Sequence, residues 1–289
     1  QLDFDMGRDV PVNLQASIDK VKDADIIVYA GGIAPSLEGE EMPVSAAGFK
    51  GGDRTSIELP AIQRRMITEL KKLGKPIVFV NYSGSAMGLE PESQLCDAII
   101  QAWYPGQAGG TAVADVLTGD YNPAGRLPVT FYRNDSQLPD FEDYSMKDRT
   151  YRYFMGDPLF CFGHGLSYTQ FNYGEASLSS NTIGKGKQVT LTIPVSNTGK
   201  YDGEEVVQIY LKRKGETDGP THALRSFKRI AVNQGTTVNV TIPMDAEKFQ
   251  WFDPSTNTMR LIDGEYEILY GGTSDTDLLK KIDISVNDE

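Results

Sequence analysis

Apolar residues recur at alternating helical and strand spacings through roughly the first 131 residues of the chain. Each helix pattern has apolar residues on one face, whereas each strand pattern is a short run of mainly β-branched residues, as in strands buried on both faces. Three rounds of this alternation are visible, with helix patterns at 13–21, 60–73 and 111–117 and strand patterns at 24–30, 76–80 and 96–104. The alternation predicts a parallel β-sheet covered by helices on both faces, which is an α/β/α sandwich.

A different pattern, with a period of two residues, begins after about residue 177. Short alternating runs are separated by turn residues such as Asn197-Thr198-Gly199 and Asp263-Gly264. The runs lie at 188–193, 205–211, 237–242 and 264–270. This part of the chain is therefore predicted to be an antiparallel β-sandwich of immunoglobulin or fibronectin III type.

The two patterns are separated by an aromatic stretch that contains Gly and Pro and shows little periodicity. We therefore predict an α/β domain over residues 1–135, an aromatic connector over 136–170 and a β-sandwich domain over 171–289. A chain of 289 residues is long enough to bury a core in each of the two domains.

Charge and composition argue against several classes of partner. The net charge is −12 and long runs of Lys or Arg are absent, so we expect neither nucleic acid nor a membrane surface as a partner. No apolar run approaches the roughly 18 residues of a membrane-spanning helix. Two Cys and two His residues provide neither a disulfide framework nor a metal cluster, and Gly51-Gly52 is not followed by the residues of a phosphate loop. We expect no metal and no cofactor.

The densest acidic cluster follows the first strand pattern and contains Glu38, Glu40 and Glu41. Loops at the carboxyl ends of parallel strands converge on the ligand crevice, so carboxylates in this position can reach a substrate. A solvated acidic loop would have the same composition. The residues alone leave both interpretations open.

A second polar cluster, Asp53-Arg54, lies shortly before the helix pattern at 60–73. These side chains could anchor the loop through hydrogen bonds, contact a substrate, or pair with one of the Glu residues and tune its acidity. An Asp-Arg dipeptide does not by itself distinguish these roles.

Aromatic residues near the C-terminus offer a third possible site. Phe249, Trp251, Phe252, Tyr266 and Tyr270 could form a platform for sugar stacking, but aromatic residues in sandwich strands usually belong to the core. We assign them a packing role.

Ordered sequence blocks resemble glycoside hydrolase family 3, the β-xylosidases and β-glucosidases. The strand and loop at 29–40 are similar to a strand and loop of that family, and further blocks follow in the family's order. These blocks are Gly52-Asp53-Arg54-Thr55-Ser56-Ile57-Glu58-Leu59-Pro60 with Gln63, Trp103 to Gly110, Asp115 to Pro128, and Phe162 to Thr169. The resemblance covers essentially the whole chain and implies the C-terminal portion of such an enzyme, with a fibronectin III-like end domain.

The resemblance also implies how the catalytic work is divided. In such retaining exo-β-glycosidases an N-terminal barrel carries an Asp nucleophile, and the α/β sandwich domain contributes a Glu as general acid/base. The barrel and the start of the sandwich domain are expected to be missing from this chain, which would then be inactive alone. The implied partners are an oligosaccharide or aryl β-glycoside and the barrel, and the implied location is periplasmic or secreted. The alternative is a non-catalytic carbohydrate-binding or scaffold module.

Two registers of the resemblance give two candidates for the acid/base. A gapless match through residues 29–33 places it at Glu38, whereas a match centred on Gly39-Glu40 places it at Glu40. We adopt Glu38 and keep Glu40 as the other candidate. Asp53 and Arg54 are the candidates for substrate binding or loop anchoring.

Overall fold

The computed structural model describes residues 13–38, 47–51 and 53–288, apart from the side chain of Ser36. The chain forms two compact units, each made of several segments. The first unit comprises residues 1–114, 131–143 and 156–159, and the second comprises residues 115–130, 144–155 and 160–289. The predicted boundaries at residues 135 and 170 stay a prediction.

The first unit alternates helices and strands. Its strands are β1 (Ile27–Gly32), β2 (Phe49–Lys50), β3 (Asp53–Arg54), β4 (Ile77–Tyr82) and β5 (Ala98–Gln101). The helices are α1 (Leu14–Asp19), α2 (Pro35–Glu38), α3 (Ala61–Lys71), α4 (Glu90–Leu95) and α5 (Gly109–Thr118), the last of which continues into the second unit's residues.

Local sequence explains where the helices of the first unit begin and end. The side chain of Asn13 caps α1 by accepting a hydrogen bond from the backbone N–H of Ala16 at 3.0 Å. Pro60 precedes α3, and Gly74 follows it with a φ of 67°, a left-handed conformation that Gly adopts without a steric penalty. The helix predicted at 60–73 and the strand predicted at 76–80 are thus both present.

The parallel sheet has the strand order β1-β4-β5. Ile27 pairs with Ile77 and Val78 pairs with Ala98, and both pairings continue in parallel register toward the carboxyl ends of the strands. The core packs one face of this sheet against the helices. Its buried members include Ile27, Tyr29, Met66, Ile67, Leu70, Ile77 and Phe79. On the other side of β1, Val28 is 51% exposed.

The second unit is rich in strands. Its helix is α6 (Thr150–Tyr153), and its strands are β6 (Phe171–Tyr173), β7 (Ser177–Leu178), β8 (Thr182–Gly184), β9 (Gln188–Asn197), β10 (Gly203–Arg213), β11 (Ala223–Val232), β12 (Thr237–Asp245), β13 (Trp251–Asp253), β14 (Thr258–Arg260), β15 (Gly264–Gly271) and β16 (Lys280–Asn287). One sheet has the order β11-β10-β15-β16-β8, and the other has the order β12-β9-β6 with β7 also on β9. The prediction of an α/β domain with a parallel sheet, followed by a β-rich domain, is confirmed.

A single apolar core fills the second unit between strands of both sheets. Inward residues alternate along β9, where Val189, Leu191, Ile193 and Val195 are all buried. The aromatic residues that were assigned a packing role are buried at Phe249, Trp251, Tyr266 and Tyr270, which confirms that assignment for these four. Phe252 differs, since it is half exposed.

Residues 13–38, 47–51 and 53–288 show neither a membrane-spanning helix nor a metal cluster. None of the helices in that part of the chain is long and apolar enough to cross a membrane. Over the same residues, no group of three or more His, Cys, Asp or Glu side chains is arranged to hold a metal ion.

Buried His222 makes the stability of the second unit depend on pH. The imidazole lies edge-on to the rings of Tyr151 and Tyr210, with its Nδ1 3.0 Å from the hydroxyl of Thr221. Burial lowers the pKa of His222 to about 4. Below the ordinary His pKa of about 6.5 the unfolded chain binds a proton that the folded chain does not accept, so stability falls as the pH drops from about 6.5 to about 4.

We therefore expect the chain to lose about 2 kcal/mol more unfolding free energy between pH 7 and pH 5 than a His222→Gln variant does. Urea unfolding, followed by the fluorescence of Trp251 in a Trp103→Phe background, measures both losses. Equal losses for the two proteins would show that His222 does not cause the pH dependence.

Candidate active site

Three chain segments meet at the carboxyl edge of the parallel sheet. Because β1, β4 and β5 run in parallel, the residues that follow them lie at the same edge. Glu38 ends the short helix α2 that follows β1, Ser83 to Ser85 follow β4, and Trp103 and Tyr104 follow β5. The sheet thus brings together residues that are far apart in sequence.

The carboxylate of Glu38 is hydrogen-bonded to Tyr104. The Tyr104 hydroxyl lies 2.9 Å from Oε2 of Glu38 and 2.8 Å from the backbone oxygen of Ile33, the residue that follows β1. Partial burial, together with the hydrogen bond and negative charge of Glu38, raises the pKa of Tyr104 to about 12. The phenol therefore keeps its proton at neutral pH.

The backbone conformation and packing around Tyr104 hold its ring at this edge of the sheet. Trp103 has a φ of 56°, an uncommon conformation for a large side chain, and its ring packs edge-on against buried Phe131 with centroids 6.1 Å apart. A Cβ atom added at Gly84 would lie 2.6 Å from Cε2 of Tyr104. The ring of Tyr104 thus lies directly against the Gly84 backbone, in space that a larger residue would occupy.

The end of β1 is fixed by the buried side chain of Gln63. Its Oε1 accepts a hydrogen bond from the N–H of Gly32 and its Nε2 donates one to the carbonyl of the same residue, both at 2.7 Å. Gly32 has a φ of 121°, and an added Cβ there would lie 1.9 Å from the backbone oxygen of Tyr82. The position of Ile33, and of the helix that carries Glu38, follows from this contact.

Arg54 links the β2-β3 hairpin to the loop after β4. Its Nη1 donates to the hydroxyl of Ser85 at 2.8 Å and to the carbonyl of Ala86 at 3.4 Å. Burial lowers the pKa of Arg54, while the negative charges of Glu38 and Asp135 oppose that effect. The guanidinium is therefore a cation close enough to Glu38 for the two charges to interact.

The chain after the hairpin is held by a second set of contacts. Asp135 accepts hydrogen bonds from the hydroxyl of Ser56 and from the N–H of Ile57, each at 2.7 Å. Arg64 on α3 joins Glu58 at 2.7 Å to Glu92, whose side chain is fully buried. These hydrogen bonds and ion pairs fix the segment from Ser56 to α3. Gln63 also lies on α3.

A hollow of about 260 Å³ lies beside Tyr104 at the same edge. Among the described residues its walls are almost entirely apolar and are formed by Ala30, Gly31, Ile33, Ala34, Pro35, Tyr82 and Tyr104.

The residues predicted from sequence lie as follows. Glu38 and half-buried Arg54 are at the carboxyl edge of the sheet, and Asp53 is exposed on β3, paired with Lys50 across the hairpin. Glu40 lies outside the described residues. Sequence reasoning assigned no role to Tyr104, because the strand pattern at 96–104 includes it, whereas β5 ends at Gln101 and leaves Tyr104 in the loop at the carboxyl edge.

The chain thus combines a parallel α/β unit, with the carboxylate of Glu38 at its strand edge, and a β-rich unit. Residues 11–168 match the glycosyl hydrolase family 3 C-terminal domain, and residues 205–274 match the fibronectin type III-like domain. The chain belongs to glycosyl hydrolase family 3, as its sequence blocks indicated.

The relatives to which the chain is similar include a β-xylosidase and a β-glucosidase. The chain is 53% identical over 283 residues to a xylan 1,4-β-xylosidase of Xylanibacter ruminicola, covering 98% of this chain and 32% of the relative. It is 36% identical over 260 residues to a periplasmic β-glucosidase of Salmonella typhimurium, covering 84% of this chain and 33% of the relative. The chain thus spans about a third of the length of these relatives.

A solved structure shows the same fold. A β-glucosidase from Erythrobacter marinus superposes with a TM-score of 0.80 at 32% sequence identity, covering 95% of this chain and 36% of that chain. A β-glucosidase from Listeria innocua also gives a TM-score of 0.80, at 22% identity. The fold of the described residues is therefore that of the C-terminal part of such enzymes.

Removing the Gln63 side chain should weaken the first unit. Gln63→Ala leaves the buried N–H and C=O of Gly32 without partners, and we expect a loss of about 2–4 kcal/mol in unfolding free energy. Urea unfolding followed by Trp103 fluorescence in a Trp251→Phe background measures it. Gln94→Ala on the exposed side of α4 is the matched control, expected to change stability by less than about 0.5 kcal/mol. A loss at Gln63 no larger than this control would contradict the proposed contact.

Proposed function

We propose that this chain is the C-terminal portion of a retaining exo-β-glycosidase and supplies Glu38 as the general acid/base. The observation that carries the proposal is the hydrogen-bonded carboxylate of Glu38 at the carboxyl edge of the parallel sheet, 2.9 Å from the Tyr104 hydroxyl. An isolated exposed Glu would have no such fixed partner. The family supports the remaining assignment, since an Asp nucleophile is expected on the N-terminal barrel.

The reaction divides into two steps. In the first, the barrel Asp attacks the anomeric carbon, the bond to the leaving oxygen breaks with its electron pair, and Glu38 gives that oxygen its proton. In the second, Glu38 as a carboxylate takes a proton from water while the water oxygen displaces the Asp carboxylate from the sugar. Retention requires the two carboxyl groups to stand about 5–5.5 Å apart.

Neighbouring residues support both states of Glu38. Arg54, tied to Ser85 and Ala86, places a cation beside the carboxylate that forms when Glu38 has given up its proton. Arg54 thereby anchors the hairpin at the site. Asp53 on the same strand is exposed, so its carboxylate is free to accept hydrogen bonds from sugar hydroxyl groups.

The names of the relatives suggest the substrate and the location. The 53% identical relative is a xylosidase and the Salmonella relative is a periplasmic glucosidase, so we propose β-xylosides or β-glucosides as substrates. An extracytoplasmic location, with a role in polysaccharide degradation, is proposed on the same basis.

Glu38→Gln in a full-length enzyme, in which the barrel precedes this chain, should reveal the role of Glu38. The variant cannot protonate the leaving group, so kcat should fall about 100-fold or more for substrates with poor leaving groups and far less for activated aryl glycosides. Added azide should restore turnover of the activated substrates by replacing the activated water. Glu40→Gln is the matched comparison: if only that variant shows the leaving-group dependence and azide rescue, Glu40 is the acid/base.

Residues 1–289 on their own should fold and yet hydrolyse nitrophenyl β-glycosides no faster than buffer, because the proposed nucleophile lies on the barrel. Assays of the chain and of the full-length enzyme on the same substrates measure the difference. Turnover by the chain that survives repurification and disappears in Glu38→Gln would mean that another residue of this chain replaces the nucleophile.

A further inference from the structure

The hydroxyl of Tyr104 faces two acceptors with a single proton. The backbone oxygen of Ile33 lies at 2.8 Å and Oε2 of Glu38 at 2.9 Å. An ionised carboxylate is only an acceptor, and so is a backbone carbonyl. While Glu38 is ionised, Tyr104 can donate to only one of them.

The conflict disappears when Glu38 is protonated. The carboxylic acid then donates its proton to the Tyr104 oxygen, and Tyr104 donates its own proton to Ile33, so that both short distances are hydrogen bonds. When Glu38 has lost its proton, the Tyr104 hydroxyl can turn from Ile33 and donate to the carboxylate, a charge-assisted and stronger bond. The same oxygen therefore has a hydrogen bond for each state of Glu38.

We propose that Tyr104 is the positioning residue of Glu38 and holds it through both steps of the reaction by turning one hydroxyl proton between Ile33 and the carboxylate. The inference rests on the proposed role of Glu38 as acid/base. In the resting enzyme the Tyr104 oxygen accepts a hydrogen bond from protonated Glu38. When substrate binds, the Glu38 proton turns from Tyr104 to the leaving oxygen and passes to it, and the Tyr104 hydroxyl turns to donate to Oε2. Tyr104 keeps donating to the carboxylate while Glu38 activates water.

Two features keep the hydroxyl where this exchange needs it. The ring lies against the Gly84 backbone on one side, and the left-handed turn at Trp103, packed on Phe131, fixes the chain that carries it. The raised pKa of Tyr104 is consistent with a phenol that turns its proton without losing it. The positive charge of Arg54 acts in the opposite direction and lowers the pKa of Tyr104.

Tyr82 provides a matched control. It ends β4 and stands beside the same hollow, and its hydroxyl makes no hydrogen bond with any other residue that the structure describes. Tyr82→Phe removes the same group from a neighbouring ring without touching Glu38.

The test compares Tyr104→Phe, Tyr82→Phe and Glu38→Gln in the full-length enzyme on an activated aryl glycoside and on one with a poor leaving group. We expect Tyr104→Phe to lower kcat about 10-fold to 100-fold on the substrate with the poor leaving group and less on the activated one, with little change in KM, because a misplaced Glu38 protonates the leaving oxygen and activates water less well. Azide should recover turnover on the activated substrate alone, since it replaces only the activated water. Tyr82→Phe should match the parent enzyme.

A second variant covers the case in which Tyr104→Phe folds poorly. Gly84→Ala keeps the hydroxyl but displaces the ring that carries it, and it should give the same kinetic pattern. Unchanged kcat in Tyr104→Phe, a loss confined to KM, or a loss without azide recovery would overturn the positioning role. If Glu38→Gln itself lacks azide rescue, the acid/base assignment fails and the positioning role falls with it.

Discussion

The geometry of the site depends on where strand β1 ends, and one side chain fixes that end. Gln63 pairs with both backbone groups of Gly32 inside the core, where neither group could find water instead. Ile33 and the helix bearing Glu38 follow within six residues of this point. Any change that lets the end of β1 move would therefore move the carboxylate and the carbonyl that share the Tyr104 proton.

Two energetically unfavourable features lie near the end of β1, and neighbouring residues compensate for each of them. The left-handed backbone at Trp103 is unfavourable for a large residue, but the packing of its ring on Phe131 holds it. The buried carboxylate of Glu92 is costly without a partner, and Arg64 meets it with two hydrogen bonds. A strained backbone and a buried ion pair thus both lie near the residues that fix the site.

Much of the fold was readable from spacing alone. The helix predicted at 60–73 is present as Ala61–Lys71, and the period-two runs mark four long strands of the second unit. Helix α4 was not predicted because it has no apolar stripe. It forms because a Pro in its first turn favours its start and because Glu92 ties it to Arg64. Strand β16 was missed although Ile282, Ile284 and Val286 alternate along it.

The site was less predictable than the fold for a geometric reason. Glu38 and Tyr104 are separated by 66 positions in sequence, and only the parallel order of β1, β4 and β5 brings them together. The cluster containing Glu38 was visible as composition, but the choice between Glu38 and Glu40 depends on register, which sequence spacing does not determine. A hydrogen-bond partner can be recognised only once the strand order is known.

The close approach of Tyr104 to Gly84 also limits how this part of the sequence can be redesigned. A Cβ at position 84 and an aromatic ring at position 104 claim the same space, so the two positions are energetically coupled and substitutions there will not be additive. A library that varies position 84 while keeping the tyrosine would sample mainly displaced rings. Varying both positions together would include combinations, such as Ala at 84 with a smaller residue at 104. The effects of the two single substitutions do not predict the stability of such combinations.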